Sequence, residues 1–169
     1  MKLPGIRSIT RISLSLTGPD LVLWHHIIQI PKTSILEGLK DGTIDVISSD
    51  HTPHDQDAKR LPFGQAEFGG VGLETLLPLA LSLVKNNFLE ITDVISLITS
   101  NPAKILGLDV GLIKEKSEAD LIIFDPNKSW KVKPESFFSK SKNSPFDGMI
   151  LEGKNIMTFV RGRLVYKLH

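Results

Sequence analysis

The sequence contains no cysteine in its 169 residues. Disulfide bonds and thiolate metal sites are therefore excluded, and any metal ion would need histidine or carboxylate ligands. The lack of cysteine also fits a cytoplasmic protein, because reducing compartments do not support disulfide frameworks.

The chain has no excess of charge of one sign. Lys and Arg number 20 and Asp and Glu number 19, which leaves a formal net charge of +1. No block of like charges stands out, so binding of nucleic acid is disfavoured. Hydrophobic residues make up 41% of the chain, enough for the core of one globular domain, or of one domain and a small satellite.

A long uninterrupted hydrophobic run is also missing. The most apolar stretch, residues 12–30, contains a glycine, a proline, an aspartate and two histidines, which argues against a membrane span. The N-terminal residues lack the pattern of a secretory signal. His25 and His26 are neighbours, and adjacent side chains of a strand point to opposite faces, so we do not predict that they chelate one metal ion.

The first half of the chain predicts helices and loops around one strand. A short helix begins near Ile35 and stops at Asp41-Gly42, and a buried strand from Ile44 to Ile47 leads directly to Asp50. A loop from His51 to Gly72 follows. A loop of that length is typically functional or disordered.

Further helices precede a region of strands. We predict a helix from Leu73 to Lys85, a helix capped by Thr92, and a short helix that Pro102 opens and Gly107 ends in a left-handed conformation. Four strands follow, the last two joined as a hairpin by Arg161-Gly162: Ala119–Phe124, Trp130–Val132, Asn155–Val160 and Arg163–Tyr166.

The segment S-S-D-H-T-P-H, residues 48–54, is the strongest candidate for chemistry. Catalytic groups of α/β barrels project from strand ends, so Asp50 is predicted to ligate a metal ion and to act as general acid and base. The alternative is that Asp50 caps the next turn, but the two histidines favour a site. His54 would hold a substrate carboxylate, or be a solvated loop residue, whereas His51 would point away and brace the loop.

Four glycines follow in the same loop, at positions 64, 69, 70 and 72. Glycine lets backbone N–H and C=O groups approach a ligand closely. A flexible turn would have a similar sequence, so both interpretations stay open.

Together, these blocks resemble type I dihydroorotase of the amidohydrolase superfamily. The matching runs occur in the family's order: D-G-T-I-D-V-I-S-S-D-H-T-P-H, F-G-G-V-G-L-E-T-L-L-P-L, S-N-P-A-K-I-L-G-L, E-A-D-L-I-I-F-D-P and S-K-S-K-N-S-P-F-D-G. The resemblance extends from about Ile35 to Tyr166. The D-H-x-P-H and V-G-L-E-T elements are specific, whereas N-P-A-K-I-L-G marks only the wider superfamily.

The resemblance implies an α/β fold, a distorted (β/α)8 barrel with a small β-sandwich beside it. It implies a zinc-dependent enzyme that reversibly cyclises N-carbamoyl-L-aspartate to L-dihydroorotate in pyrimidine biosynthesis. Asp50 matches the zinc ligand and general acid/base of the family. His54 matches the histidine that holds the substrate carboxylate, and Phe68 and Gly69 match the pair whose backbone meets the substrate ring.

Two departures from the family pattern lead to a predicted domain division. A full barrel needs at least about 200 residues, and no H-x-H metal motif occurs. Residues 1–34 do not resemble the family and form a divergent segment, residues 35–107 the C-terminal part of the barrel, and residues 108–169 the β-sandwich segment. We therefore expect a truncated dihydroorotase that is inactive alone, since catalytic zinc normally takes three protein ligands.

Two alternatives stay open. The chain could be a non-catalytic dihydroorotase-like subunit, which binds a partner such as aspartate carbamoyltransferase or a second copy of itself. It could also be another cyclic amidohydrolase, of the hydantoinase or allantoinase type. Because much of a barrel core is missing, we predict a large apolar face on the strand-rich tail, a feature that promotes association.

Overall fold

The computed structural model describes residues 32–62, 65–67 and 69–169. Helices precede strands within these residues, as the sequence predicts. None of the described helices is long and apolar enough to cross a membrane. The elements are α1 (Lys32–Lys40), α2 (Gln56–Arg60), α3 (Leu76–Lys85), α4 (Ile91–Ile98), α5 (Ser100–Leu106), β1 (Leu121–Lys131), a 3-10 turn (Pro134–Ser136), β2 (Ile150–Val160) and β3 (Arg163–Lys167).

Helices α1, α3 and α4 share one hydrophobic core. Helix α4 contributes Val94 and Leu97, which lie three positions apart and therefore on one face of the helix. Helix α3 contributes Ala80 and Leu83, which are also three positions apart. The core consists of Ile35, Leu39, Ile47, Ala80, Leu83, Val94 and Leu97.

The predicted strand from Ile44 to Ile47 is wrong. This segment is not part of a named strand, although Ile47 is buried as expected. The Ile47 N–H donates to the carbonyl of Leu97, at 3.0 Å, in α4. A strand needs a neighbouring strand to satisfy its backbone, and in the described part of the chain a helix takes that place.

Four helix starts also differ from the predictions. Helix α1 begins at Lys32, three residues before Ile35. Helix α3 begins at Leu76 instead of Leu73, because residues 73–75 form a turn. Helix α4 has Glu90 as its N-cap, so Thr92 lies inside the helix. Helix α5 begins at Ser100, two residues before Pro102, but Gly107 ends it in the left-handed conformation (φ 69°), as predicted.

The strands form one antiparallel sheet in the order β1-β2-β3. Strand β1 joins two predicted strands into one, with a register irregularity between Asp125 and Ser129. Strands β2 and β3 are joined by Arg161-Gly162, as predicted, and both residues have positive φ (49° and 73°). Such a turn follows the right-handed twist of the paired strands.

Among the residues that the structure describes, the sheet packs against the helical part through one end. A second core joins the residues before and within α3 to that end of the sheet, and consists of Val71, Leu79, Val132, Phe137, Phe146 and Leu151. The far end of the sheet exposes large apolar side chains, among them Leu121, Ile122, Ile123, Leu164 and Val165. The strand-rich tail therefore exposes apolar side chains, and a single large apolar face stays a prediction.

Candidate functional site

Asp50 lies three residues after the buried Ile47 and has a left-handed backbone, with φ of 44°. This conformation costs a residue with a Cβ atom about 1 kcal/mol or more. The hydroxyl of Thr52 donates to the Asp50 carbonyl, at 2.9 Å, and both residues are half-buried. The chain therefore turns sharply at Asp50. Strained backbone of this kind is often found at functional sites.

The residues after Asp50 pair with the glycine segment. His51 and Gly70 form a parallel bridge, and the Thr52 N–H donates to the Gly70 carbonyl at 2.9 Å. The Gly72 N–H donates to Nδ1 of His51 at 3.2 Å. Nδ1 is thus an acceptor, so the neutral imidazole carries its proton on Nε2. The predicted bracing role of His51 is confirmed.

Two of the glycines are required by close backbone packing. A Cβ atom at Gly72 would lie 2.6 Å from the Ser49 carbonyl oxygen, and one at Gly69 would lie 2.6 Å from Cβ of Thr52. Gly69 also has a φ of 114°. These glycines therefore allow close packing against the segment that carries Asp50, and an approach of their backbone to a ligand stays a prediction.

The predicted loop from His51 to Gly72 contains the short helix α2. Asp55 caps this helix by accepting from the Ala58 N–H at 2.7 Å. Lys59 then donates to the carbonyls of Glu67 (2.6 Å) and Gly69 (2.9 Å). The sequence analysis missed Lys59, since no spacing links a lysine in this loop to a carbonyl ten residues later.

A segment between β1 and β2 also reaches this region. Ser141 contacts the carbonyl oxygen of His54 through its hydroxyl. The side-chain amide of Asn143 donates to the Gly69 carbonyl at 3.2 Å, and its backbone carbonyl accepts from the Val71 N–H at 3.1 Å. These residues belong to the S-K-S-K-N-S-P-F-D-G block, which the sequence analysis noted without assigning a role.

The structure thus gathers three predicted site residues into two connected segments. Asp50 and His54 lie in the first segment, which pairs with the second at Gly70, beside Gly69. Phe68, the fourth, lies outside the described residues. A small cavity of about 20 Å³, with room for about one water molecule, lies beside Gly72 and is lined by Ser48, Ser49, Gly72, Thr75, Leu76, Leu79 and Phe146, so it does not include Asp50, His54 or Gly69.

The described residues do not by themselves fit a metal centre. Nowhere among residues 32–62, 65–67 and 69–169 do three or more His, Asp or Glu side chains come together as a group that could hold a metal ion. Catalytic zinc sites normally use three protein ligands. Asp50 can therefore account for one ligand at most.

Comparison with known proteins relates these segments to one family. The family model described as the amidohydrolase family matches residues 19–165. A curated dihydroorotase of a Geobacter species is 48% identical over 130 residues, which is 77% of this chain and 31% of that protein. The dihydroorotase of Ehrlichia canis (strain Jake) is 40% identical over 166 residues, 94% of this chain and 37% of that protein.

Solved structures agree with this assignment. The L-hydantoinase (dihydropyrimidinase) of Arthrobacter aurescens superimposes with a TM-score of 0.76 at 34% identity, over 81% of this chain and 32% of that one. These matches support the fold of an α/β metal-dependent hydrolase of the TIM-barrel type, and the superposition covers 32% of the matched chain. The chain spans about a third of the length of the relatives that it matches. The family match covers most of the chain, and the protein belongs to the amidohydrolase family.

Proposed function

We propose that the chain carries part of the active site of a dihydroorotase. The observation that supports this most directly is the D-H-T-P-H segment, which turns at a strained Asp50 and is bonded to the glycine segment at His51 and Thr52. The identity to curated dihydroorotases, 48% for the Geobacter protein, supports the proposed substrate class. The reaction is the interconversion of N-carbamoyl-L-aspartate and L-dihydroorotate in pyrimidine biosynthesis.

Each proposed site residue has a distinct role. In the hydrolytic direction a water oxygen attacks the ring carbonyl carbon and the ring C–N bond breaks. Asp50 takes the proton from that water and delivers it to the leaving nitrogen, a contribution of about two to four orders of magnitude in rate. His54 holds the substrate carboxylate, and the backbone at Phe68 and Gly69 contacts the ring.

The metal ion of the proposed enzyme is zinc, with Asp50 as one ligand. At least one further ligand would have to come from residues other than the described ones, since these contain no group of three candidate ligands. We therefore derive no step through the metal, and expect the reaction only in an assembly that supplies the remaining ligands.

The domain division is part of the same proposal. Residues 35–107 form the end of a barrel, residues 108–169 one layer of a β-sandwich, and residues 1–34 a divergent segment, although the family match starts at residue 19. The exposed sheet would bind a second copy of the chain in a homo-oligomer, or aspartate carbamoyltransferase in a complex. We place the protein in the cytoplasm because it lacks cysteine.

Complementation tests the proposed function. The full chain is mixed with the Geobacter dihydroorotase shortened by the C-terminal third that matches it, and dihydroorotate hydrolysis is measured with added zinc. We expect turnover in the mixture and none from either piece alone. In the mixture, Asp50→Asn should lower kcat about 10²- to 10⁴-fold. Asp57→Asn, an exposed aspartate in α2, is the matched control and should have no effect.

The same mixture separates the alternatives. A hydantoinase-type enzyme, which the likeness to the L-hydantoinase structure favours, would hydrolyse hydantoin in preference to dihydroorotate. A non-catalytic subunit would assemble with the shortened enzyme but show no Asp50-dependent turnover of either compound. Zinc-dependent turnover by the 169-residue chain alone, abolished by Asp50→Asn, would contradict the expectation that further ligands are needed.

A further inference from the structure

The segment from Phe137 to Phe146, which links the 3-10 turn to β2, is firmly held at both ends. Phe137 and Phe146 are buried in the second core. Lys142 donates through Nζ to the carbonyls of Phe137 and Ser139, each at 2.8 Å. The residues between the two phenylalanines therefore have a fixed position relative to helix α3, against which the second core packs.

From this fixed segment, two polar side chains reach the proposed site. The Ser141 hydroxyl contacts both the His54 carbonyl oxygen and Oδ1 of Asn143. The Asn143 amide nitrogen donates to the Gly69 carbonyl at 3.2 Å, which fixes the orientation of the amide and turns its oxygen toward Ser141. Ser141, Asn143, His54 and Gly69 are all half-buried, so water competes weakly for these bonds.

The hydrogen bonds to the Gly69 carbonyl also determine which backbone group of Gly69 can contact a ligand. Its carbonyl oxygen accepts from Nζ of Lys59 at 2.9 Å and from Asn143. A carbonyl oxygen has two lone pairs, so both are used by the protein. The Gly69 N–H is then the group that would contact the substrate ring.

We propose that Ser141 and Asn143 are positioning residues, which fix the distance between His54 and Gly69. Ser141 holds the carbonyl of His54, the residue proposed to bind the substrate carboxylate. Asn143 holds the carbonyl of Gly69, the residue proposed to contact the substrate ring. The two target residues are 15 positions apart in sequence, and the connection through the segment is short and sheltered. This inference rests on the proposed function, because the distance matters only if both residues contact one substrate.

Amide hydrogen exchange on the full chain tests the connection without any assay of activity. The variants are Ser141→Ala and Asn143→Asp, which keeps the side-chain shape but removes the donor to Gly69. We expect exchange of the Thr52 and Val71 amides to rise about three- to tenfold, the factor for a net loss of one hydrogen bond. The Ile47 amide, bonded to Leu97 in the helical core, should not change.

The control is Ser136→Ala, an exposed serine whose hydroxyl bonds only to the carbonyl of Lys133 in its own turn. It should leave the Thr52 and Val71 amides unaffected. Unchanged exchange in both test variants would overturn the proposal. So would an equal rise at Ile47, because that result would mean general destabilisation.

Kinetics in the complemented enzyme test the consequence for substrate binding. We expect Ser141→Ala and Asn143→Asp to raise KM for dihydroorotate about three- to tenfold while kcat stays within about threefold, since both act on binding groups. Ser141→Thr restores the hydroxyl and should restore KM. A fall in kcat with unchanged KM would contradict a positioning role. Absence of turnover in the unmutated mixture would count against the proposed function, while the exchange measurement still decides whether the connection exists.

Discussion

The surroundings of Lys154 act on its charged form in opposite directions. Its ammonium group lies 3.5 Å from the centre of the Trp130 ring, an attractive cation–π contact. Partial burial lowers the pKa of Lys154, the nearby carboxylate of Glu74 opposes this, and Lys128 adds to it. The folded protein therefore binds this proton less tightly than the unfolded chain does.

The sign of the resulting pH dependence follows from that difference. Between the lowered pKa and the ordinary value of 10.5, the unfolded state binds more protons, so stability rises with pH across this interval. We expect the stability of the wild type relative to Lys154→Met to rise there and to be constant at lower pH. Urea unfolding of both proteins across this range measures it, with Lys131→Met, an exposed lysine of β1, as the control. A difference that does not change with pH would contradict the prediction.

At the scale of elements, the docking of β2 on α3 depends on one small residue. Gly153 has a φ of 100°, and a Cβ atom there would lie 2.6 Å from Cδ1 of Leu81 in α3. The Nε1–H of Trp130 donates to the Gly153 carbonyl at 2.9 Å, which ties β1 to the same point. An ion pair between Lys85 and Glu152 lies beside it.

Replacing this glycine should separate the effect of crowding from that of backbone strain. Gly153→Ala is expected to lower the free energy of unfolding by about 2–4 kcal/mol, from overpacking plus the left-handed backbone. Gly148→Ala is the matched control, because Gly148 has a φ of 78° but nothing within 4 Å of the added Cβ. The Gly148→Ala substitution should lower the free energy of unfolding by only about 1 kcal/mol. Equal losses by urea unfolding would show that Leu81 moves aside without cost.

For the whole molecule, the far end of the sheet has two faces of different chemistry. Pairing partners lie on the same face of a sheet. One face therefore carries Leu121, Ile123, Met157 and Phe159, with Lys167 paired to Met157 at its edge. The opposite face includes Ile122, Thr158 and Tyr166, and the Tyr166 ring contacts Phe138 edge-on.

We expect the apolar face to cause self-association that depends on concentration. Ile123→Lys should reduce it strongly, since a charge there disrupts the apolar cluster. Ile122→Lys is an adjacent control of similar exposure, 49% against 52%, on the opposite face, and should have a smaller effect. Light scattering over a range of concentrations compares them. A wild-type chain that stays monomeric and binds no dye for apolar surfaces would contradict the prediction.

The sequence by itself determined the features that depend on neighbouring residues. The stop of α1 at Asp41-Gly42, the left-handed Gly107 and the hairpin at Arg161-Gly162 follow from backbone preferences that act within a few positions. The family followed from ordered motifs, because their residue types and spacing are visible without coordinates. The bracing role of His51 was predicted for the same reason.

Only the tertiary structure decided the features that depend on distant residues. The turn before α3 holds Glu74, whose carboxylate accepts from the Phe138 N–H 64 positions away, and no local signal predicts that contact. Ser141 and His54 meet across 87 positions, and Ile47 finds its partner in a helix. Backbone groups must be satisfied by whatever element packs beside them, so these contacts are fixed by packing and not by local preference.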